Sequence, residues 1–289
     1  MPPDLPHPRT GNLFDSPVRP GTGWPADPGD AGTPVARKAQ DVVRAAARAG
    51  DLGEVDARSS VCRACPRLVR WREDVAVAKR RAYRDQPYWG RPAAGFGDPQ
   101  AALLIVGLAP AAHGANRTGR LFTGDRSGDW IFAALHRAGA ADQPTSVDAA
   151  DGLSLEGVRM TAAVRCAPPD NKPLPLERDT CEPWLRREME LSAPTVRVVL
   201  ALGAFGWRAV LSAARSLGWV VPRPAPRFGH GARAQLVRPD GVLVELVGCY
   251  HVSQQNTQTG RLTEQMLDAV LQGALARARA GVPGITSTS

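Results

Sequence analysis

Four short apolar runs organise the chain, at 101–107 (AALLIVG), 158–164 (VRMTAAV), 196–203 (VRVVLALG) and 242–248 (VLVELVG). Each is rich in branched residues and ends at glycine or in a polar loop. Their apolarity is continuous rather than alternating, which predicts strands covered on both faces, as in a parallel sheet. Around them, the stretches 37–49, 64–81, 128–138, 176–192, 205–217 and 262–279 have helical character. Strand and helix alternate, so the pattern predicts one three-layer α/β domain over 36–281. Nothing repeats internally.

In open α/β sheets the ligand site lies beyond the carboxyl ends of the strands. Three segments there are rich in polar side chains and glycine: 108–125, 165–173 and 249–260. Residues 1–35 break the pattern. The first 34 hold nine Pro and five Gly with little periodicity, which predicts an unstructured or loosely docked arm. Residues 282–289 read as a C-terminal tail.

Composition narrows the classes. The chain has 289 residues, 43% of them apolar, which is enough for a sizeable core. No stretch approaches the roughly 20 apolar residues needed to cross a bilayer. The first residues lack the basic-then-apolar pattern of a leader, so a cytoplasmic, nucleoid-associated protein is expected. The net charge of +8 favours a polyanionic partner such as nucleic acid. Its weight is modest, because Arg supplies nearly all of it and Lys occurs only at Lys38, Lys79 and Lys172, a pattern that GC-rich coding also produces.

Five cysteines stand at 62, 65, 166, 181 and 249. In a reducing compartment such a set points to metal binding or catalysis rather than disulfides. Cys62 and Cys65 form a CxxC pair; Cys166 follows the second apolar run, and Cys181 lies fifteen positions further on. Four thiolates can close a zinc site or hold an iron–sulfur cluster, and the spacing does not choose between them. Cys249 ends an apolar strand and reads as a small buried hydrophobe.

GLAPAAHGANRTGRLFTGD at 107–125 resembles the first active-site motif of family 5 uracil-DNA glycosylases, and HVSQQNTQTGR at 251–261 resembles their second. With GFGD at 95–98 and the order of the four cysteines, the likeness extends over most of 60–265. It implies an α/β/α sandwich around a four-stranded parallel sheet, the uracil-DNA glycosylase fold. It also implies a structural [4Fe–4S] cluster on Cys62, Cys65, Cys166 and Cys181. The activity implied is monofunctional excision of uracil, and of other deaminated or damaged bases, from double-stranded DNA in base excision repair. A monomer is expected.

The resemblance gives residues their roles. His251 donates to the departing uracil anion, and a donor aimed at such charge is worth roughly 3–4 kcal/mol; a neutral imidazole suffices. Asp125 positions water or steadies the sugar cation, although an N-cap for the helix at 128–138 is the plainer use of an Asp there. Phe122 stacks on the flipped base. The backbone of Gly107, Leu108 and Ala109 reads the base edge, with Asn256 beside it. Gln254, Gln255 and Thr257 enter the minor groove, and Arg117 and Arg120 hold phosphates. His113 and Asn116 are the lesser candidates for water activation, since GLAP holds no polar side chain. Ala162 stands where related enzymes often carry an Asn that reads uracil, which favours a permissive pocket. Neither motif holds a Lys, so strand cleavage through a Schiff base is not expected. The alternatives are a non-catalytic iron–sulfur DNA-binding or sensor protein, and a zinc hydrolase using His113, His251 and Asp125.

Overall fold

The computed structural model describes residues 4–280; the tail expected at 282–289 lies outside them. In chain order the elements are β1 (Leu5–Pro6), β2 (Leu13–Phe14), α1 (Ala39–Ala47), α2 (Leu52–Ser60), α3 (Pro66–Ala78), β3 (Phe96–Gly97) and β4 (Leu103–Gly107). Next come α4 (Ala115–Thr118), α5 (Arg126–Arg137), β5 (Val158–Ala162), α6 (Pro175–Ser192), β6 (Val198–Leu202) and α7 (Gly203–Ser216). The chain closes with β7 (Arg233–Val237), β8 (Leu243–Cys249), α8 (Gln254–Gln258) and α9 (Glu264–Ala280).

The four apolar runs form the four parallel strands, in the order β5-β4-β6-β8. Both faces are dry. Leu103, Ile105, Val158, Met160, Val198 and Leu200 pack under α5 and α9. Leu104, Val106, Val199, Ala201 and Leu246 pack under α6 and α7. This is the three-layer sandwich expected, and its continuous apolar strands follow from being covered twice. Two antiparallel edge strands, β3 and β7, extend the sheet to six. They carry no buried apolar run: β3 has two residues, and β7 (RAQLV) is mostly half-exposed.

A buried ionic lattice pins α2 and α6 to β5. Glu188 accepts from Arg159 (2.6 Å) and Thr161 (2.6 Å), and from Arg165 as well. Asp56 takes the other end of Arg159 (2.8 Å). Charges this deep are tolerated only when paired.

The N-terminal arm corrects the expectation of a loose segment. Phe14, Val18 and Trp24 are buried against Trp89, and His7 meets the Trp24 ring edge-on at 4.8 Å. Asp27 pairs with both terminal nitrogens of Arg91 (2.8 and 2.9 Å). The Pro- and Gly-rich background hid three apolar anchors that follow no period, and burial of those anchors offsets the ordering entropy of the arm.

Candidate active site

The chain runs from β4 to β5 on one side and back across to β6 on the other, so the carboxyl ends of β4 and β6 flank the switch point where α/β sheets hold ligands. A cleft of about 460 Å³ opens there. Its walls come from all four parallel strands: Gly107–Ala111 after β4, Ala162 at the end of β5, Leu202–Phe205 across the β6–α7 junction, and His251, Ser253 and Gln254 after β8. Phe122, Asp125, Arg126 and Ser127 also line it. The two motifs, more than a hundred residues apart, face each other across this space.

Close backbone approach shapes the first loop. A Cβ on Gly107 would lie 2.7 Å from Phe122 Cζ, so the ring rests directly on the end of β4. Phe122 itself holds φ +52, a left-handed conformation that side chains rarely adopt and that is kept where surroundings enforce it. Asp125 serves two uses at once. Its Oδ1 accepts from the Gly128 amide (3.0 Å) and caps α5. Its Oδ2 lies against Gly114, where a Cβ would come within 2.0 Å, and the carboxylate lines the cleft. Burial pushes the Asp125 carboxyl up from the ordinary 3.8, against the pull of the Gly128 and Ser127 amides.

His251 follows β8 with its backbone held: Asn256 Nδ2 donates to its carbonyl (2.8 Å). Among the described residues its ring nitrogens make no hydrogen bond, and the ring lines the cleft. Burial lowers its pKa from 6.5 to about 4. The imidazole is therefore neutral at physiological pH and still carries one N–H donor.

Several assigned residues take other parts. Arg117 is buried and does not face outward: it donates to the carbonyls of His113 (2.9 Å) and Gly124 (2.9 Å) and to Gln86 Oε1 (3.0 Å), and it stacks over Tyr83. Arg120 is bound to Asp151 (2.6 Å), Ser146 and Thr123. Their donors hold the loop and are not free for phosphate, which corrects the DNA-contact reading of Arg117 and Arg120. Asn256 secures His251 and does not line the cleft, and Thr257 bonds back to the Gln254 carbonyl (3.2 Å). Gln254 lines the rim and Gln255 is exposed, both on the single helical turn of α8. His113 meets the Tyr88 hydroxyl (3.1 Å), and Asn116 Nδ2 donates to the Arg72 carbonyl (3.1 Å); neither lines the cleft. The trio His113, His251 and Asp125 is not brought together, so the zinc-hydrolase reading falls.

Sequence reasoning missed Phe205 and Asn171, which also line the cleft. Phe205 follows β6 with no polar loop between strand and helix to mark it. Asn171 sits in the 165–173 segment with φ +55.

The cysteines converge on a second, far smaller cavity of about 20 Å³. Cys62, Cys65, Cys166 and Cys181 all line it, with Leu68, Val164 and Trp184 among its other walls. Burial pushes the thiols of Cys62, Cys65 and Cys181 up, Cys65 to about 12, and each of these three also feels the Cys166 sulfur. Among the described residues no three His, Cys, Asp or Glu side chains form a group fit for one metal ion. Cys249 stays apart in the core, its thiol raised by burial to about 12.

A profile of the uracil DNA glycosylase superfamily matches residues 94–274. A type-5 uracil-DNA glycosylase of Mycobacterium bovis is 58% identical over 268 residues, covering 93% of this chain and 97% of that protein. Proteins of the same name from Thermus thermophilus and Pyrobaculum aerophilum are 51% and 44% identical. Those two alignments cover 74% and 75% of this chain, and 93% and 89% of theirs.

Proposed function

We propose, since this chain belongs to the uracil-DNA glycosylase superfamily and within it to the type-5 enzymes, that its cleft receives a uracil swung out of double-stranded DNA and that the surrounding loops hydrolyse the N-glycosidic bond. The observation that carries the reading is the meeting of a neutral His251 with Phe122 and Asp125 in one cleft at the strand tips. No helix among the described residues is long and apolar enough to cross a membrane.

The extruded base stacks on Phe122, and the backbone of Gly107–Ala109 meets its polar edge. The C1′–N1 bond breaks with its electron pair leaving on the base. Charge then collects on a uracil carbonyl oxygen, and the His251 N–H donates to it. Asp125, with one oxygen spent on the α5 cap, offers the other to the sugar cation or to the attacking water. Water adds to C1′ and leaves an abasic sugar in an intact strand. Ala162 presents no side-chain amide to the base edge, so recognition falls on backbone and shape, and hypoxanthine and other deaminated bases are admitted. Gln254 at the rim and Gln255 beside it fill the space the base vacates. The protein acts as a monomer.

Cys62, Cys65, Cys166 and Cys181 fit a [4Fe–4S] cluster. Four thiols line one cavity, yet among the described residues they form no group fit for a single metal ion, whereas a multi-iron cluster takes one thiolate on each of several irons. When bound, the group supplies cross-links among the α2–α3 turn, the β5 loop and α6.

Base release from duplexes carrying one uracil or one hypoxanthine tests the reading. His251→Ala should lower uracil release roughly 100- to 1000-fold, and Asp125→Asn should also lower it, with the strand left intact. Undiminished release by both variants would overturn the site. Equal release from single-stranded and duplex substrate would overturn the duplex preference.

A further inference from the structure

Among the described residues six arginines are buried; Arg120 is paired with Asp151, three more are balanced by carboxylates, and Arg117 spends all its donor nitrogens on neutral oxygens. Arg159 and Arg165 share Glu188 and Asp56, and Arg91 faces Asp27. Arg72 on α3, only 1% exposed, is in no ion pair with a carboxylate among the described residues. Its Nη1 donates to Cys166 Sγ (2.9 Å) and its Nη2 to the Cys62 carbonyl (3.0 Å). Its Nε finds no partner. A guanidinium does not deprotonate in proteins, so this is a permanent buried charge. An uncompensated charge at such depth costs several kcal/mol. A second orphan stands nearby: Trp184 lines the cysteine cavity, and its buried indole Nε1 completes no hydrogen bond while facing the Cys62 thiol.

Both orphans are donors; the Trp184 indole lines the cavity, and Arg72 reaches it through its bond to Cys166 Sγ. What they lack is an anion with acceptor sulfurs. A cluster held by four thiolates is such a group, and hydrogen bonds and charge at its sulfurs set its potential and retention. We propose that Arg72 is the positioning residue of the cluster: its guanidinium holds the Cys166 sulfur and supplies the fixed counter-charge, with the Trp184 N–H as a second donor. The inference rests on the cluster reading above. It also reaches the base cleft, because the Arg72 carbonyl accepts from Asn116 Nδ2 (3.1 Å) in the loop that carries Leu108 and Asp125. The charge that faces the cluster and the carbonyl that ties down the catalytic loop belong to one residue.

The test uses the full chain, purified without oxygen, as wild type, Arg72→Gln, Arg72→Lys and Trp184→Phe. Iron and sulfide content, bleaching of the visible band under an iron chelator, and the cluster's reduction potential at an electrode are read for each. Arg72→Gln removes the charge and keeps a neutral donor, so its potential should shift negative and chelator bleaching should speed up about tenfold or more. Arg72→Lys should recover the potential in part, since the charge returns without the fork. Trp184→Phe should move the same way by less. A helix-packing role alone would lower the melting temperature and leave the potential where it was. If Arg72→Gln fails to fold, the Lys and Phe variants decide the matter: unchanged potential and bleaching in both would overturn the proposal. Wild type free of iron and sulfide would instead bring down the cluster reading itself.

Discussion

The base cleft and the cysteine cavity share a wall, yet they are built on opposite rules. Ala109 and Phe205 line the cleft on one side and pack against the group around Cys166 on the other. In the cleft, the His251 ring and one oxygen of Asp125 face open space. Behind the wall, the polar groups turn inward, closed off from the cleft. Polar side chains of the first motif divide accordingly. Asp125 faces the cleft, while the donors of Asn116, Arg117 and Arg120 are consumed holding the loop. A reacting site keeps its donors and acceptors free; the scaffold around it spends them.

The sharpest way to break this comparison is to cross the readouts. His251→Ala should cost roughly 3–4 kcal/mol of transition-state stabilisation while the melting temperature and the visible band stay at wild-type values. If the proposed cluster is bound, Cys181→Ser should do the reverse first: cluster retention and melting temperature fall, and activity follows only as the protein unfolds. Uracil release, iron content and thermal melting on the same preparations check both. Equal loss of the visible band in His251→Ala would show that the wall does not separate the two sites.

The arm sharpens the picture at the cleft's back. Trp24 Nε1 donates to the Thr118 carbonyl (3.3 Å), and Trp24 is 4% exposed. Trp24→Ala should cost about 3 kcal/mol of stability, at the low end for a large aromatic because the arm can relax into the gap. Denaturant melts measure it. A change under ~0.5 kcal/mol would mean that the arm is a passenger.

What the sequence reveals follows the same division. The parallel strands were readable because burial on both faces leaves an uninterrupted apolar run. β7 was not, because an edge strand needs only Leu236 buried. The arm was not, because Phe14, Val18 and Trp24 share no period. His251 and Asp125 were found through motifs, and both face the cleft. Arg117 was misassigned because a sequence shows five donors and hides the carbonyls that absorb them. Asn256 was misassigned for the same reason: the acceptor, the His251 carbonyl, becomes apparent only when α8 turns back. Phe205 carried no signal because β6 passes straight into α7.

A smaller change probes how closely the first loop is fitted. Gly114→Ala would set a Cβ on Asp125 Oδ2, and the carboxylate must move. Misplacement on that scale should lower uracil release about 10- to 100-fold with little effect on the proposed cluster. Rates within twofold of wild type would show that Asp125 acts only as the α5 cap.

The mildest effect is on pH, and the two site residues pull in opposite directions. The folded pKa of His251 lies near 4, below the 6.5 of the unfolded chain. Between these values the unfolded state binds the extra proton, so stability drops on acidification by at most ~1.4 kcal/mol per pH unit. Asp125 has a raised folded pKa, so its contribution favours folding at low pH and is lost as pH rises through that value. Melting curves from pH 7 to 4.5 should therefore flatten in His251→Ala and steepen in Asp125→Asn. Uracil release supplies the second reading. An imidazole that stays neutral to about pH 4 leaves the acid limb of activity to Asp125, so His251→Asn should keep the position of that limb while lowering its height. A limb centred near 6.5 in wild type would mean that His251 titrates as an open histidine, and the neutral-donor account of the cleft would fall.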